Sequence, residues 1–124
     1  MFHANVCNQN ITAFKELVKP VDSLRSQVSK NACLALQALF QAVETRIADQ
    51  QMDNVLPILL KRAADTNYFI SESAEATIQV IVQKCSESRV FTSLQQQPLK
   101  QNKQKELVCH CYTLLLERLG SRVR

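Results

Sequence analysis

The fold is indicated by one stretch, SLRSQVSKNACLALQALFQAVETR, which occupies residues 23–46. Its apolar residues recur at steps of four, four, three, four and four, the spacing that places side chains on one face of a helix. Leu36 and Phe40 widen this stripe. The stretch therefore predicts a long amphipathic helix whose buried face consists of Leu24, Val28, Ala32, Ala35, Leu39 and Val43.

The residues before this stretch indicate where its helix begins. Pro20 lacks a backbone N–H and is expected to stop the preceding helix. Asp22 or Ser23 can then cap the new helix by accepting hydrogen bonds from its free N–H groups. A shorter helix before the proline is marked by Ile11, Phe14, Leu17 and Val18.

The same apolar spacing predicts four further helices. A polar break at residues 48–51 leads to a third helix, which contains Pro57 and ends near Ala64, and a loop at 65–67 separates it from the fourth. A short fifth helix and a sixth over about residues 104–119 follow, with Gly120 placed to cap the last one. The predicted core residues of these helices are Met52, Val55, Leu56, Leu59, Leu60, Ile70, Ala74, Ile78, Ile81, Val82, Val90, Phe91, Leu94, Leu107, Cys111, Leu115 and Leu119.

The six predicted helices form three consecutive pairs, spaced by about 35–45 residues, the period of HEAT-like helical repeats. A single pair leaves an apolar face exposed, and stacking on a neighbouring pair covers it. We therefore predict an all-α protein, an α-solenoid of about three HEAT-like antiparallel helix pairs. These pairs make one domain over residues 1–124, with flexible ends at 1–7 and 121–124. An ordinary helical bundle has the same periodicity and is the alternative.

Composition argues against several other classes of protein. The chain has 124 residues, 46% of them hydrophobic, and Gly120 is its only glycine. All-β folds, Rossmann folds and phosphate-binding loops need more glycines at positive φ. The absence of Trp argues against a nucleic-acid platform that stacks bases, whereas the net charge of +4 permits an acidic partner.

Cysteine usage and hydropathy indicate a location. The five cysteines are irregularly spaced and do not form a disulfide framework. The start of the chain is too polar for a secretory signal, and no apolar run approaches the roughly 20 residues that span a bilayer. We expect a soluble protein of a reducing, cytoplasmic compartment, with no membrane partner.

Three segments carry a resemblance to a known family. DSLR at residues 22–25 is similar to the start of the second helix of a HEAT repeat, and LPILL at 56–60 to a first helix with an internal proline. LRSQV at 24–28, the most specific segment, resembles the TOG domains of the CLASP and ciliary TOG-array families. The resemblance extends from about residue 14 to residue 120.

The resemblance implies a partial TOG domain that binds tubulin. TOG domains of this kind have six HEAT repeats and bind the tubulin heterodimer along one edge, so this chain would cover about half of one. Two features depart from the family pattern. The tryptophan of the first repeat has no counterpart, and Asn67 stands where the family has a basic residue.

The predicted binding site lies on the loops within the helix pairs, because a stack aligns these loops along one edge. They are expected at residues 19–23, 65–69 and 98–104. Basic side chains there would attract the acidic surface of tubulin, and exposed aromatic side chains would anchor it. The predicted tubulin-binding residues are Lys19, Ser23, Arg25, Asn67, Tyr68, Phe69, Lys100, Asn102, Lys103 and Lys105.

Other reactive side chains have simpler interpretations. In Cys109-His110-Cys111 the two sulfurs point in different directions on a helix, so no metal site is expected, and Cys33, Cys85 and Cys111 are predicted to be buried. His110 lacks an evident catalytic partner, and His3 lies near the chain start. We expect no catalytic residue, no metal and no cofactor.

Two functions follow from these observations. The first is a non-enzymatic module that binds tubulin through its intra-repeat loops and regulates microtubules in the cytoskeleton, the cilium included. The alternative is a generic HEAT or armadillo-like scaffold that binds a protein partner on a solenoid surface. An exposed apolar groove, together with a loop edge that lacks aromatic residues, would favour the scaffold.

Overall fold

A computed structural model describes the backbone of residues 2–123 and the side chains of residues 11–120. Residues 2–123 contain α-helices and no β-strand. The helices, in chain order, are α1 (Phe2–Val21), α2 (Ser26–Ala42), α3 (Thr45–Ala63), α4 (Tyr68–Lys84), α5 (Glu87–Gln95) and α6 (Asn102–Val123).

The helices pack as two layers, as an α-solenoid requires. In one layer α1 packs on α3 and α3 on α5, and in the other α2 packs on α4 and α4 on α6. Within each pair, α1 packs on α2, α3 on α4 and α5 on α6. The predicted all-α stack of HEAT-like pairs is confirmed.

One continuous core runs through the stack. In α3 and α4 every predicted core residue is buried, because this middle pair is covered on both sides. Phe14 of α1 and Phe40 of α2 meet edge to face, with ring centroids 4.9 Å apart. The Gln37 amide of α2 donates to the Thr77 hydroxyl of α4 at 3.1 Å, a polar contact that joins these two helices.

The predicted buried stripe of the second helix is wrong at its start. Leu24 is 92% exposed because α2 begins only at Ser26, so Leu24 belongs to the preceding loop. Val28, in the first turn, is 39% exposed. The buried face consists instead of Ser29, Ala32, Cys33, Leu36 and Phe40, which point at α1 and α4.

Capping of this helix also differs from the prediction. Arg25 is the residue at the N-cap position, and it makes no capping hydrogen bond with its side chain. The Ser23 hydroxyl accepts from the backbone N–H of Arg25, which holds the loop rather than the helix end. Asp22 is not a cap either, because its carboxylate pairs with cations on α3.

Three helix limits differ from those predicted. The first helix is not short: α1 starts at Phe2 and continues through Pro20 to Val21, since residues 2–19 contain neither glycine nor proline to interrupt it. The polar residues 48–51 lie inside α3, which starts at Thr45. Gly120 does not cap α6, which continues to Val123 without a positive φ.

The third pair has a partly uncovered apolar face. Phe91, predicted in the core, is 46% exposed, and Leu119 is 41% exposed, because neither points at the middle pair.

Of the predicted flexible ends, the backbone of residues 2–7 and 121–123 belongs to α1 and α6, whereas Met1 and Arg124 lie outside the described residues. Over the described residues, the helices all fall short of the length and apolarity needed to cross a bilayer.

Two matched leucine substitutions test the corrected stripe. Leu24→Ser should change the free energy of unfolding by less than about 0.5 kcal/mol, because the side chain is already in water. Leu36→Ala should lower it by about 2–5 kcal/mol, because it leaves a cavity in the core. Urea denaturation of both variants measures the difference. A large loss for Leu24→Ser would mean that this residue packs as the stripe predicted.

Candidate functional site

The three loops within the helix pairs lie together along one edge of the stack. They are residues 22–25, 64–67 and 96–101, between α1 and α2, α3 and α4, and α5 and α6. We call these loops, with the helix turns that flank them, the loop edge. Polar contacts made by the last turn of α3 join each loop to the next, so the three loops form a continuous surface.

Arg62, in the last turn of α3, joins the first loop to the second. Its guanidinium donates to the Asp22 carboxylate at 2.7 Å and to the Asp65 carboxylate at 3.0 Å. It also donates to the Asp22 carbonyl. Lys61 adds a second contact to Asp22 at 3.1 Å. Because Arg62 is only 7% exposed, these charge-assisted bonds hold the two loops at a defined spacing.

The third loop is joined to the same turn of α3 and to the second loop. The Gln104 amide donates to the Leu60 carbonyl at 3.1 Å. Its oxygen accepts from the backbone N–H groups of Lys100 and Gln101, which orders the loop itself. The Lys103 ammonium lies 3.5 Å from the Asp65 carbonyl.

Local hydrogen bonds give the first two loops their shape. The buried Ser29 hydroxyl donates to the Val21 carbonyl at 2.8 Å, which ties α2 to the end of α1. Asn67 caps α4, because its side-chain oxygen accepts from the backbone N–H of Phe69. The Asp65 carboxylate accepts from the backbone N–H of Asn67. The predicted loop at 65–67 is therefore an ordered turn.

Most of the predicted site residues lie on this edge and are exposed, although several belong to helices rather than loops. Lys19 is in the last turn of α1, Tyr68 and Phe69 begin α4, and Asn102 begins α6. Tyr68 is 70% and Phe69 61% exposed. Ser23 is half-buried, and the exposed members are Lys19, Arg25, Asn67, Tyr68, Phe69, Lys100, Asn102, Lys103 and Lys105.

Three residues of the edge were missed by the sequence reasoning. Leu24 projects from the first loop, but its four-residue step to Val28 had assigned it to the helix core. The sequence pattern places Lys61 and Arg62 in the third helix and gives them no role at the loop edge. The three-residue spacing of Arg62 and Asp65 was a visible signal, whereas Asp22 is 40 positions from Arg62, so its contact was not predictable from local spacing.

The cysteines of the described part of the chain do not gather into a site. Cys33, Cys85 and Cys111 are buried as predicted, and Cys109 is exposed, one residue before the exposed His110. Burial raises the pKa of Cys85 to about 12 and that of Cys111 to about 11. Among residues 11–120, no three His, Cys, Asp or Glu side chains are placed to hold one metal ion.

These features define a class of protein: a HEAT-type helical repeat domain with one row of ordered loops along an edge. Comparison with known proteins specifies the family. The family model "CLASP N terminal" matches residues 3–122, nearly the whole chain. The chain belongs to this family, and it is a TOG-like domain of the CLASP and ciliary type.

Two curated relatives are similar over most of the chain. TOG array regulator of axonemal microtubules protein 1 from Homo sapiens is 32% identical over 95 residues, and the protein of that name from Mus musculus is 33% identical over 95 residues. Each alignment covers 75% of this chain but 5% of the relative, so the chain spans a small part of the relatives' length. No solved structure matches the chain.

The pairing of Asp22 predicts a pH dependence of stability. Its hydrogen bond from Lys61, with a further contribution from Arg62, holds the pKa of the carboxyl below its ordinary value. A lowered folded-state pKa stabilises the protein above the unfolded-state pKa, and this stabilisation disappears as pH falls through the folded-state value. Wild type should therefore be more stable than Asp22→Asn at pH 7, and the difference should close below about pH 4.

Urea titrations of both proteins across this pH range measure the difference in free energy of unfolding. Asp53→Asn is the matched control, because Asp53 accepts from Ser93 and has no cation partner among the ion pairs of the described residues. A difference for Asp22→Asn that does not depend on pH would show that the carboxylate charge is not what stabilises the first loop.

Thiol reactivity should follow burial. In a Cys7→Ser variant, which leaves four of the five cysteines, Ellman's reagent at pH 8 should label one thiol quickly. That thiol is Cys109, because the other three are buried and burial raises their pKa values. All four should react after unfolding in denaturant. Rapid labelling of a second thiol in the folded protein would contradict the burial of Cys33, Cys85 or Cys111.

Proposed function

We propose that this domain is a non-enzymatic microtubule-associated module that binds tubulin through the loop edge. Membership of the CLASP N-terminal family and the names of the relatives, which describe regulators of axonemal microtubules, support this function. The observation that carries the proposal is the ordered edge itself, where contacts of Arg62, Gln104 and Lys103 hold three loops in one row. A row of this kind can recognise an extended, rigid partner without changing shape.

The charge of the edge fits an acidic partner. Exposed cations come from all three loops and their flanking turns, whereas the two acidic residues of the edge, Asp22 and Asp65, are already paired with Arg62. The remaining cations have no carboxylate partner among the ion pairs of the described residues, so they can attract an acidic surface and orient it, although the Lys103 ammonium also lies 3.5 Å from the Asp65 carbonyl. They are Lys19, Arg25, Lys100, Lys103 and Lys105.

Apolar side chains at the same edge would supply the binding contacts that charge alone does not. Tyr68 and Phe69 project at the N-terminal end of α4, and Leu24 projects from the neighbouring first loop. Exposed aromatic residues among cations are frequent anchors of protein interfaces. Because the chain has no tryptophan, we propose that Tyr68, Phe69 and Leu24 are the apolar side chains that contact tubulin.

The alternative function, a scaffold that binds a protein partner, was expected to show an exposed apolar groove and a loop edge without aromatic residues, and only the first of these is present. An exposed apolar groove exists between α5 and α6, but the loop edge carries exposed aromatic residues. Of the two functions, tubulin binding is the one that uses the cations and the aromatic residues of the edge together. The proposed setting is the microtubule cytoskeleton, with the axoneme as the place suggested by the names of the relatives.

A pair of charge reversals tests the proposal. Lys100→Glu combined with Lys105→Glu should weaken binding to soluble tubulin at least tenfold and should reduce its dependence on salt, because two attractive charges become repulsive. Neither side chain makes a hydrogen bond or ion pair that holds the fold in the described structure, so the variant should remain folded. Co-elution with tubulin in size-exclusion chromatography, at low and moderate salt, measures the effect.

The matched control is Lys15→Glu combined with Arg46→Glu, which changes the net charge equally. Both residues are exposed and lie away from the three loops. This control should bind tubulin nearly as well as wild type. Equal weakening of both variants would indicate attraction by overall charge, and unchanged binding of Lys100→Glu/Lys105→Glu would remove the third loop from the site.

A further inference from the structure

The exposed large apolar side chains of the first two helix pairs all belong to one layer of the stack. Among the described residues they occur on α2, on α4 and in the loop that leads into α2, whereas α1 and α3 have none. Apart from Pro57, the described side chains that α1 and α3 expose are polar or charged. The α2/α4 layer therefore offers a partner apolar contacts, which come from Leu24, Val28, Leu34, Tyr68 and Phe69.

A groove between α2 and α4 runs through this apolar surface. Leu34 lines it from α2 and Phe69 from α4, and these residues are 51% and 61% exposed. Both helices begin at the loop edge, at Ser26 and Tyr68, so the groove opens onto that edge. Phe69 is in the first turn of α4 and therefore belongs both to the loop edge and to the groove.

The polar lining of the groove leaves two charges for a partner. The Gln37 amide is already used, because it donates to the Thr77 hydroxyl at 3.1 Å. Lys30 of α2 and Glu72 of α4 take part in none of the ion pairs among the described residues. A partner in this groove therefore meets one pair of apolar side chains and two opposite charges, one on each helix.

The size and the position of the groove indicate what kind of partner it takes. It encloses about 210 Å³. Pockets that enclose a small molecule have about 300–1,000 Å³, so this groove suits a side chain of a protein surface instead. In a helical repeat, further pairs stack at the ends and leave the outer face of each layer open. The groove between the first and second pairs is therefore a surface that repeat stacking does not cover.

Given tubulin binding at the loop edge, on which this inference rests, we propose that bound tubulin extends over the outer face of α2 and α4. Leu34 and Phe69 bury an apolar side chain of tubulin between them. Continuity with the loop edge selects tubulin as the occupant, because a partner that contacts Phe69 at the edge already covers the opening of the groove. The face of α1 and α3 stays free, since its described residues expose no large apolar side chain.

The two charges determine how an acidic surface lies in the groove. Lys30 attracts such a surface toward α2, and Glu72 repels it from α4. Lys30 therefore adds one cation to those of the loop edge, on the side toward which the partner extends.

Two matched leucine substitutions test the proposed extension. Leu34→Ser should weaken binding to soluble tubulin about fivefold or more, because it removes an apolar contact from the interface. Leu116→Ser is the control and should bind as wild type does, because Leu116 is also an exposed helical leucine but lies on α6, outside this groove. Isothermal titration calorimetry measures each Kd, and circular dichroism checks that both variants are folded.

Two matched lysine substitutions test the direction of the extension. Lys30→Glu should weaken binding about fivefold or more and reduce its dependence on salt, because an attractive charge becomes repulsive. Lys15→Glu makes the same change of charge on α1 and should bind nearly as well as wild type. Equal weakening by the two substitutions would mean that overall charge, rather than the face of α2 and α4, attracts tubulin, and it would overturn the extension.

The outcomes distinguish the extension over α2 and α4 from tubulin binding itself. If wild type binds tubulin, and Lys100→Glu/Lys105→Glu weakens binding but Leu34→Ser does not, the contact is confined to the loop edge and the extension alone is overturned. Equal weakening by Leu34→Ser and Leu116→Ser would also overturn it. A wild-type chain that does not bind tubulin would overturn both the extension and the proposed function.

Discussion

The guanidinium of Arg62 is the group on which the arrangement of the loop edge depends. It lies nearly buried at the end of α3 and binds carboxylates of the first and second loops, Asp22 and Asp65. Such a charge is costly to bury unless it is paired, and its two terminal nitrogens are paired with the loops while its buried Nε has no partner. Packing of the helices alone would stack the pairs, but it would not fix the position of each loop relative to the next loop along the edge. Arg62 joins the first two loops, and Gln104 and Lys103 add the third to the same surface.

The middle helix pair has a second role, because α3 and α4 contact every other helix of the stack. Their predicted core residues are all buried, and the last turn of α3 carries Leu60, Lys61 and Arg62, which contact the three loops or their flanking turns. The core and the proposed recognition surface therefore share one helix. The third pair carries an apolar groove between α5 and α6.

Local sequence was sufficient to predict the buried stripes of the middle pair and the loop between its helices, although α3 starts at Thr45, before the predicted polar break. Its core residues, from Met52 to Leu60 and from Ile70 to Val82, recur at helical spacing and are all buried, because a helix covered on both sides buries every apolar position of its stripe. The stripe through Leu24 and Val28 failed for the opposite reason. A four-residue step continues across a helix start as easily as within a helix, and nothing in the spacing marks Ser26 as the first helical residue.

The sequence by itself determined that the chain is helical, that its helices come in pairs, and that cations and aromatic residues lie near the turns, because these properties depend on residue type and short-range spacing. The tertiary structure decided which of those side chains share a surface. Asp22 meets Arg62 across 40 positions, and Lys103 meets the Asp65 carbonyl across 38. Contacts at such separations depend on how the pairs stack, and the stacking is set by the packing of whole helix faces rather than by any local pattern.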